Sequence, residues 1–474
     1  MKQTLLAPHM MILYLLIIIT AIGAMLRLHK LGRPSLGNDE ASSILDSRGK
    51  LYNISHPPLS YVILRLFVET LGTNEFTIRL PSCLFGIATI PLIYFFGKQL
   101  FSEKEGLVAS FLISVSPWHI YWSQQARMYT ELAVFTLLAL SFFYQTTYKE
   151  TATPYVFSAI FTVLAFYTHY SAILILAILV FWLISKGFLR SDQFRLNYKY
   201  LTIFFGIFFI LSSILFFTTI LQTIEFKFGE NTLRWGLPID ELFKRLVQSD
   251  LGIMLSVFSV AGALYLVLQK SSTGFLLTAY ALIPLITFAL LTFIISIDTR
   301  YIVFALPAYA LLSAHLVTES FEKIRKSESK NEFRGLILNL DKNKILAFGF
   351  LFAIVLSVNN LYTFYFSYYR YKAHADWKSA CAYVENHMTT EDLIAATGDK
   401  AVYYYLGKID FNLSIELFKP GTFDEIKNAN ERVWLLISGT LGAIDPDAEF
   451  RDWIANHCKL MKTKNQISIY LFTP

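Results

Sequence analysis

The chain has 474 residues, of which 55% are hydrophobic and only 16% are charged. A soluble protein of this size would carry roughly a quarter charged residues, so the composition excludes an ordinary soluble enzyme and indicates a polytopic membrane protein. The net charge of +6 is mild and does not indicate a nucleic-acid partner, because basic residues in such a chain mostly mark cytoplasmic loops.

The first hydrophobic run, from Met10 to Leu26, approaches the roughly 20 residues that a membrane-spanning helix needs. The small residues Ala21 to Ala24 resemble a signal-peptide cleavage site. Many further hydrophobic runs follow, and this favours an uncleaved first helix.

About eleven runs are long and apolar enough to be candidate spans. They are centred on 10–27, 78–97, 106–120, 131–146, 155–170, 171–185, 201–221, 251–268, 275–295, 301–317 and 345–366. The run 57–71 is shorter, and Arg65 and Glu69 interrupt it, while its apolar residues recur at helical spacing. We expect a helix that lies in the membrane interface rather than one that crosses.

The basic residues set the expected orientation. With a cytoplasmic N-terminus and 57–71 on the surface, the cytoplasmic loops are 98–105, 186–200, 269–273 and 318–344, which are rich in Lys and Arg as the positive-inside rule requires. Arg27, Lys30 and Arg33 depart from the rule, since they would be external. Either they serve a ligand or the later loops outweigh them.

This orientation places five polar clusters on the extracytoplasmic side. They are the loop 36–59, the segment 116–129, the corner 168–170, the loop 222–250 and the corner 298–301. Convergence on one face predicts a single active site there.

Two adjacent carboxylates, Asp39 and Glu40, follow the first span, and His56 begins a His-Pro-Pro sequence in the same loop. The pair is either a solvated loop or a catalytic base held at the membrane face. It could also hold a divalent cation, although no metal-ligand spacing accompanies it.

Cations at the ends of two spans are the next candidates. Arg127 precedes Tyr129, and Arg300 precedes Tyr301, each where an apolar run begins. Such an arginine either extends its charge to the interface or binds an anion. A lipid phosphate would be a suitable anion, because the guanidinium can donate two parallel hydrogen bonds to its oxygens. His169, at a helix end, is either a base, a metal ligand or a residue satisfied by a neighbour.

The last hundred residues have a different composition. Helical spacing over Asp376 to Met388 is followed by short apolar runs at 393–397, 433–437 and 467–472. This pattern predicts a small α/β domain, either an acceptor-docking module or a structural cap. Cys381 and Cys458 would pair only if this domain is extracytoplasmic and brings them close, and Cys83 lies in a hydrophobic run.

The order of motifs DE, HPPL, FTIRLPS, SPWHIYWSQQARMY, THYS, DTRYIVFALP and DWKSACAYV resembles bacterial and archaeal membrane glycosyltransferases of the GT-C class. It is most similar to the family 39-like branch, which contains protein O-mannosyltransferases and lipid A aminoarabinose transferases. The resemblance covers about residues 10 to 310 and continues more loosely through the tail.

The resemblance implies a polyprenyl-phosphate-linked sugar donor, a lipid, protein or glycan acceptor, and inverting transfer outside the cytoplasm. By motif match, Asp39 is the base and Glu40 its catalytic neighbour. The donor phosphate would contact His56, Arg127, Tyr129, Arg300 and Tyr301, with His169 as a further possible site residue. Some family members carry Lys at the position of His56.

A transporter or flippase for a polyprenyl-linked glycan is the alternative, since it would also combine many spans with phosphate-binding cations. A transporter places its polar residues near the bilayer midplane and often has repeated halves. Neither feature is visible here, and a non-catalytic scaffold does not explain the acidic pair.

The sequence therefore predicts an α-helical polytopic membrane glycosyltransferase of about eleven transmembrane helices in the plasma (inner) membrane of a prokaryotic cell. Its transmembrane domain would cover 1–366, with a catalytic external loop at 28–77. An extracytoplasmic α/β domain would cover 367–474.

Overall fold

The computed structural model describes residues 8–49, 56–189, 197–215, 217–218, 237–295, 297–326, 362, 375–413, 420–439 and 448–474. The expected span 345–366, apart from residue 362, lies outside the described residues, as do residues 222–236 of the loop 222–250 and the boundary expected at 366.

In the described part of the membrane region, all regular secondary structure is helical. Its α-helices are α1 (Pro8–Leu28), α2 (Asn38–Arg48), α3 (Leu59–Leu71), α4 (Glu75–Leu100), α5 (Glu103–Ser114), α6 (Pro117–Ser123), α7 (Tyr129–Gln145), α8 (Ala152–Thr168), α9 (Ile173–Phe188), α10 (Tyr198–Leu215), α11 (Ile239–Arg245), α12 (Ile253–Leu268), α13 (Ser272–Leu291) and α14 (Leu306–Lys326). Two 3₁₀ segments, Tyr170–Ala172 and Thr299–Ala305, precede α9 and α14.

Within the described ranges, six helices are long and apolar enough to cross a membrane: Met10–Leu28, Glu75–Leu100, Tyr170–Phe188, Tyr198–Leu215, Ser272–Leu291 and Thr299–Lys323. The pair Ile239–Asp250 and Ile253–Leu268, bent by 104°, would make a seventh. The expected spans at 131–146 and 155–170 are helices of 17 residues each. The expected span at 106–120 is divided into α5 and α6, because Pro117 begins the second helix.

The segment 57–71 forms the short helix α3. Its 13 residues extend roughly 20 Å, which is less than the roughly 30 Å of a bilayer core. Leu64 and Val68 are buried in a cluster with Leu36 and Ile44, so one face of α3 packs near α2. A helix at this position is confirmed, and its placement at the membrane surface stays a prediction.

Close helix packing depends on small residues. A Cβ on Gly97 of α4 would lie 2.8 Å from the Gly106 Cα of α5, and a Cβ on Gly262 would lie 2.3 Å from the Leu312 carbonyl oxygen. Dispersion contacts of this kind hold membrane helices together, since lipid removes the hydrophobic drive for their association.

Arg27 has a structural explanation that the sequence did not suggest. Its side chain is fully buried and donates to the carbonyl oxygens of Gly23, Ser114 and Ile113, each at 2.9 Å. The Nη2 that binds Ile113 also lies 2.9 Å from His119 Nδ1, and Nε donates to Ser123 Oγ at 3.2 Å. The guanidinium therefore links α1 to α5 and α6, and its charge sits inside protein rather than in a loop.

The C-terminal part forms the predicted α/β domain. Its strands are β1 (Leu393–Ala396), β2 (Phe411–Asn412), β3 (Val433–Ser438), β4 (Cys458–Lys464) and β5 (Ile467–Phe472), in the sheet order β2-β1-β3-β5-β4. Its helices are α15 (Trp377–Glu385), α16 (Asp399–Leu406), α17 (Pro420–Lys427) and α18 (Glu449–His457). β1 runs parallel to β2 and β3, whereas β5 is antiparallel to β3 and β4.

Alternating residues of β3 divide the core of this domain. Trp434 and Leu436 pack with α15 and α16, while Leu435 and Ile437 pack with α17 and α18. The three predicted strands are confirmed, and Asp376 caps α15 by accepting from Ser379 N at 3.1 Å. Sequence reasoning missed β2, which has only two residues, and β4, an edge strand whose lysines hide its apolar residues.

The cysteine pair considered from the sequence does not form. Cys381 and Cys458 are both free, as is Cys83. Cys381 lies in the cluster on one side of the sheet and Cys458 packs against the cluster on the other side, which separates the two thiols.

Candidate active site

Asp39 lies in the first turn of α2, at the point where the chain leaves α1 and the following loop. Its side chain remains 54% exposed. Arg300 Nη1 donates to Asp39 Oδ2 at 2.5 Å. Burial by itself would raise the pKa of Asp39. The nearby guanidinium groups of Arg127 and Arg300 outweigh burial and hold this pKa below its ordinary value.

Glu40, the next residue, has a different environment. It is only 1% exposed, and Arg79 donates to it through two nitrogens, each at 2.7 Å. Its oxygens also accept from Ala126 N at 2.9 Å and Gly37 N at 3.0 Å. Although burial alone would raise the pKa of Glu40, Arg79 and the backbone donors lower it, so this carboxylate is a buried, saturated anion.

Arg79 was not singled out by sequence reasoning. Its remaining donors bind the carbonyl oxygens of Leu31 and Pro34 at 2.9 Å and of Ser35 at 3.0 Å, so it also fixes the loop between α1 and α2. An arginine within the apolar run of α4 was an available signal, because an unpaired cation there would be costly in lipid.

Arg127 is 8% exposed and lies between α6 and α7. Its Nη1 donates to Asp39 O at 3.3 Å and to Ser43 Oγ at 3.1 Å, and its Nη2 lies 3.4 Å from His56 Nε2. The side chain is therefore enclosed by protein beside Asp39, which is not the arrangement of an arginine that extends its charge to the interface.

The corner that carries Arg300 is braced by Asp298. The Asp298 carboxylate accepts from Arg300 N at 3.0 Å and from Arg245 Nη1 at 3.0 Å. Arg245 lies in α11, so part of the predicted polar loop 222–250 meets the Arg300 corner.

Aromatic rings line the space beside the two arginines. The ring centroids of His56 and His169 lie 6.0 Å apart, those of His169 and Tyr301 5.6 Å, and those of Tyr129 and Tyr301 6.4 Å. His169 Nδ1 accepts from Ser171 N at 3.1 Å, which fixes the orientation of its ring.

A narrow recess lies behind Arg127, lined in part by Ser60, Tyr61 and Glu131. Ser60 Oγ donates to the buried carboxylate of Glu131. Sequence reasoning did not identify Tyr61 or Glu131, since each lies on an apolar helix.

The structure thus brings together the residues that the sequence selected. Asp39, His56, Arg127, Tyr129, His169, Arg300 and Tyr301 share one site, and Glu40 lies behind it. Among the described residues, no three potential metal-binding side chains gather. A divalent cation shared by Asp39 and Glu40 does not fit this arrangement, because hydrogen-bond donors already occupy both Glu40 oxygens.

Solved structures share this fold. ArnT from Cupriavidus metallidurans in the apo state superposes with a TM-score of 0.65 at 11% identity, covering 96% of this chain and 97% of that one. The oligosaccharyltransferase of Archaeoglobus fulgidus in its apo form gives 0.61 at 12% identity, over 90% and 69% of the two chains. The oligosaccharyltransferase AglB from Archaeoglobus fulgidus, in complex with an inhibitory peptide and a dolichol-phosphate, gives 0.60 at 13% identity, over 97% and 74%.

The chain therefore has the same fold as these solved structures, and this agrees with the fold class expected from the sequence. In sequence, residues 55–217, about a third of the chain, match the model of the dolichyl-phosphate-mannose-protein mannosyltransferase family. No curated protein matches the chain.

Proposed function

We propose that this protein transfers a sugar from a polyprenyl-phosphate-linked donor to an acceptor hydroxyl on the extracytoplasmic side of the membrane. Asp39 acts as the general base, and the anomeric centre inverts. The observation that carries the proposal is the position of Asp39: a half-exposed carboxylate lies beside the buried Arg127 and the partly buried Arg300, while its neighbour Glu40 is fully engaged elsewhere.

Structures of similar fold support a lipid-phosphate donor. ArnT from Cupriavidus metallidurans has been solved bound to undecaprenyl phosphate; it gives a TM-score of 0.58 at 12% identity, over 96% of this chain and 97% of that one. The AglB complex contains a dolichol-phosphate and a peptide. A polyprenyl phosphate in this chain would keep its tail in lipid and bring its headgroup to the site of Arg127 and Arg300.

The two arginines retain unused hydrogen-bonding capacity. Among the described residues, no acceptor lies within hydrogen-bond reach of Arg127 Nε or Arg300 Nε, although both atoms are buried. Buried donors without partners are costly, and an anionic oxygen would satisfy them. Guanidinium groups match phosphate oxygens in this way through paired hydrogen bonds.

The charge change in the reaction suits these cations. A sugar donor linked through one phosphate is a diester with a single negative charge, whereas the departing monoester carries about −1.5 to −2 at neutral pH. Arg127 and Arg300 therefore bind the transition state and product more strongly than the donor, which is the requirement for lowering the barrier.

The bond changes require one base. The acceptor oxygen forms a bond to the anomeric carbon as the bond from that carbon to the phosphate oxygen breaks. The hydroxyl proton passes to an Asp39 carboxylate oxygen, and the electron pair of the broken bond leaves with the polyprenyl phosphate. Single displacement inverts the anomeric centre without a covalent enzyme intermediate.

Glu40 has a positioning role in this proposal. Its charge pairs with Arg79, and its contact with Ala126 N holds the residue before Arg127, so it sets the distance between the base and a phosphate-binding arginine. His56, Tyr129, His169 and Tyr301 form the wall beside the phosphate and the sugar. The acceptor is a lipid, protein or glycan, and the enzyme acts in the prokaryotic plasma membrane with its C-terminal domain outside.

The proposal is tested by comparing the envelope products of strains that carry wild-type protein, the Asp39→Asn variant or no protein. A deletion strain is complemented with the wild type or with Asp39→Asn, and surface lipids, glycans and glycoproteins are analysed by mass spectrometry. We expect one glycosylated species to disappear in the deletion strain, to return with the wild type and to stay absent with Asp39→Asn. Restoration by Asp39→Asn would reject the catalytic assignment and favour the transport of a lipid-linked glycan.

A further inference from the structure

The C-terminal domain contacts the residue that directly precedes Asp39. Asn38 Oδ1 accepts from Lys400 N at 2.9 Å and from Ala401 N at 3.2 Å, while Asn38 Nδ2 donates to Asp399 Oδ1 at 3.4 Å. Lys400 and Ala401 lie in the first turn of α16, whose N–H groups have no partners within the helix. Asn38 therefore caps a helix of the other domain, 362 positions away from Lys400.

Two further residues before Asp39 are attached to the same domain. Ser35 Oγ donates to Ala375 O at 2.8 Å and accepts from Trp377 N at 3.2 Å. Leu36 N donates to the hydroxyl of Tyr405 at 2.8 Å. The approach to α2 is thus fixed by the C-terminal domain through backbone and side-chain contacts.

Apolar packing extends these contacts along α2. Ala41, which is fully buried, belongs to the same cluster as Trp377 and Val402 of the C-terminal domain. Ile44, one turn later, is in a cluster against which Tyr405 packs. One face of α2, the helix that carries Asp39, is therefore part of the core of the C-terminal domain.

The residue after Asp39 is attached to the transmembrane domain instead. Glu40 binds Arg79 of α4 and the backbone of Ala126. Asp39, whose carboxylate contacts Arg300, therefore lies in the first turn of α2 between an attachment to the C-terminal domain and an attachment to the membrane region.

We propose that Asn38 is a positioning residue through which the C-terminal domain places Asp39 in the active site. The inference rests on the proposed role of Asp39. It assigns the C-terminal domain a part in the reaction itself, beyond acceptor docking or a structural cap. Since a misplacement of about 1 Å can cost about 10²-fold in rate, a loosened Asn38 contact reduces transfer without weakening the phosphate site.

Asn38→Ala tests this inference in the full-length protein. We expect transfer, measured as the missing envelope species per amount of folded protein in the complemented deletion strain, to fall roughly ten- to hundred-fold. Binding of undecaprenyl phosphate to the purified variant in nanodiscs should remain at the wild-type level. Ser42→Ala is the matched control, because it removes a bond within α2, to Asp46, and leaves the C-terminal domain untouched.

A double substitution tests whether transfer can be restored. Asn38→Asp alone places two carboxylates together and should also lose transfer. Asn38→Asp combined with Asp399→Asn exchanges the two groups: residue 38 keeps an acceptor for Lys400 N and Ala401 N, an amide again donates to a carboxylate between positions 38 and 399, and most of the transfer should recover. If Asn38→Ala does not fold, Tyr405→Phe removes the contacts of the Tyr405 hydroxyl with Leu36 N and with Glu75 Oε1, both of which join the C-terminal domain to the membrane region. This variant should likewise lose transfer while its binding of undecaprenyl phosphate stays at the wild-type level.

Asp39→Asn, measured in parallel, separates the two proposals. If Asp39→Asn abolishes transfer while Asn38→Ala and Tyr405→Phe transfer at the wild-type rate, the inference about the C-terminal domain is wrong and the proposed function stands. If Asp39→Asn transfers normally, the proposed function fails. Failure of the exchanged pair to restore transfer, in a folded protein, would also overturn the positioning role.

Discussion

Arg300 Nη1 and Asp39 Oδ2 lie 2.5 Å apart, although 261 positions separate the two residues in the chain. In this arrangement the proposed base is neutralised by a cation that the proposed leaving group also requires. If the proposed donor phosphate binds Arg300, it competes with Asp39 for the guanidinium. We therefore expect donor binding to free the Asp39 carboxylate for the deprotonation of the acceptor hydroxyl.

Replacing Asp39 by Asn should separate chemistry from binding. The amide keeps the size of the side chain but does not take a proton at neutral pH, so single-turnover transfer should fall by about 10²- to 10⁴-fold. Affinity for undecaprenyl phosphate should stay the same or rise slightly, because one negative charge near the phosphate is removed. Full turnover by Asp39→Asn would eliminate Asp39 as the base.

Replacing Arg300 should affect donor binding first. Charge-assisted hydrogen bonds contribute about 1.5–3 kcal/mol each, so Arg300→Ala should weaken undecaprenyl phosphate binding by roughly ten- to hundred-fold and also slow transfer. Arg300→Lys is the matched control, since it keeps the charge but loses the paired geometry, and its loss should be intermediate. Arg127→Ala should resemble Arg300→Ala. Normal phosphate binding by both alanine variants would remove the arginines from the donor site.

The pH dependence of transfer should differ between the free and donor-bound enzyme. In the free enzyme, the adjacent arginines outweigh burial and hold the pKa of Asp39 below the ordinary aspartate value of about 3.9. The base is therefore deprotonated above that pH, and the acidic limb of kcat/KM should lie below it. Bound phosphate offsets the cations and raises the pKa of Asp39, so the limb of kcat should lie at higher pH than that of kcat/KM. Coincident limbs, or a kcat limb at lower pH, would contradict the competition for Arg300.

Disrupting the Arg79–Glu40 pair should destabilise the fold. Both side chains are almost completely buried, so Arg79→Met leaves an uncompensated carboxylate and should cost on the order of 3–5 kcal/mol in the free energy of unfolding. Combining Arg79→Met with Glu40→Gln removes that charge and should recover part of the loss without restoring transfer. Thermal unfolding in detergent provides the measurement, and an Arg79→Met protein as stable as the wild type would refute this account of Glu40.

Cysteine labelling should establish the orientation. In a Cys458→Ser background, where Cys83 and Cys381 are buried, Asp424→Cys should react with an impermeant thiol reagent in intact cells. Asn197→Cys should react only after the cells are opened. External labelling at Asn197 would show that the predicted orientation is inverted or that the segment 57–71 crosses the membrane.

Several features of this protein followed from the sequence alone. Hydrophobic runs and their helical period predicted the apolar helices and the short helix α3, because burial against lipid or protein constrains local composition. The strands β1, β3 and β5 were visible for the same reason. Motif order selected residues that the structure places around one site, since polar groups at the ends of spans have few places to go except a shared cavity.

Only the tertiary structure showed that Asp39 and Glu40 have different partners. Adjacent helical residues differ in direction by roughly 100°, so one carboxylate faces Arg300 and the other faces Arg79, and the sequence treats them as a pair. The burial of Arg27 and the link from Asn38 to α16 depend likewise on partners about ninety or several hundred positions away. Which donor meets which acceptor is decided when helices pack, because desolvated charges persist only where a distant partner satisfies them.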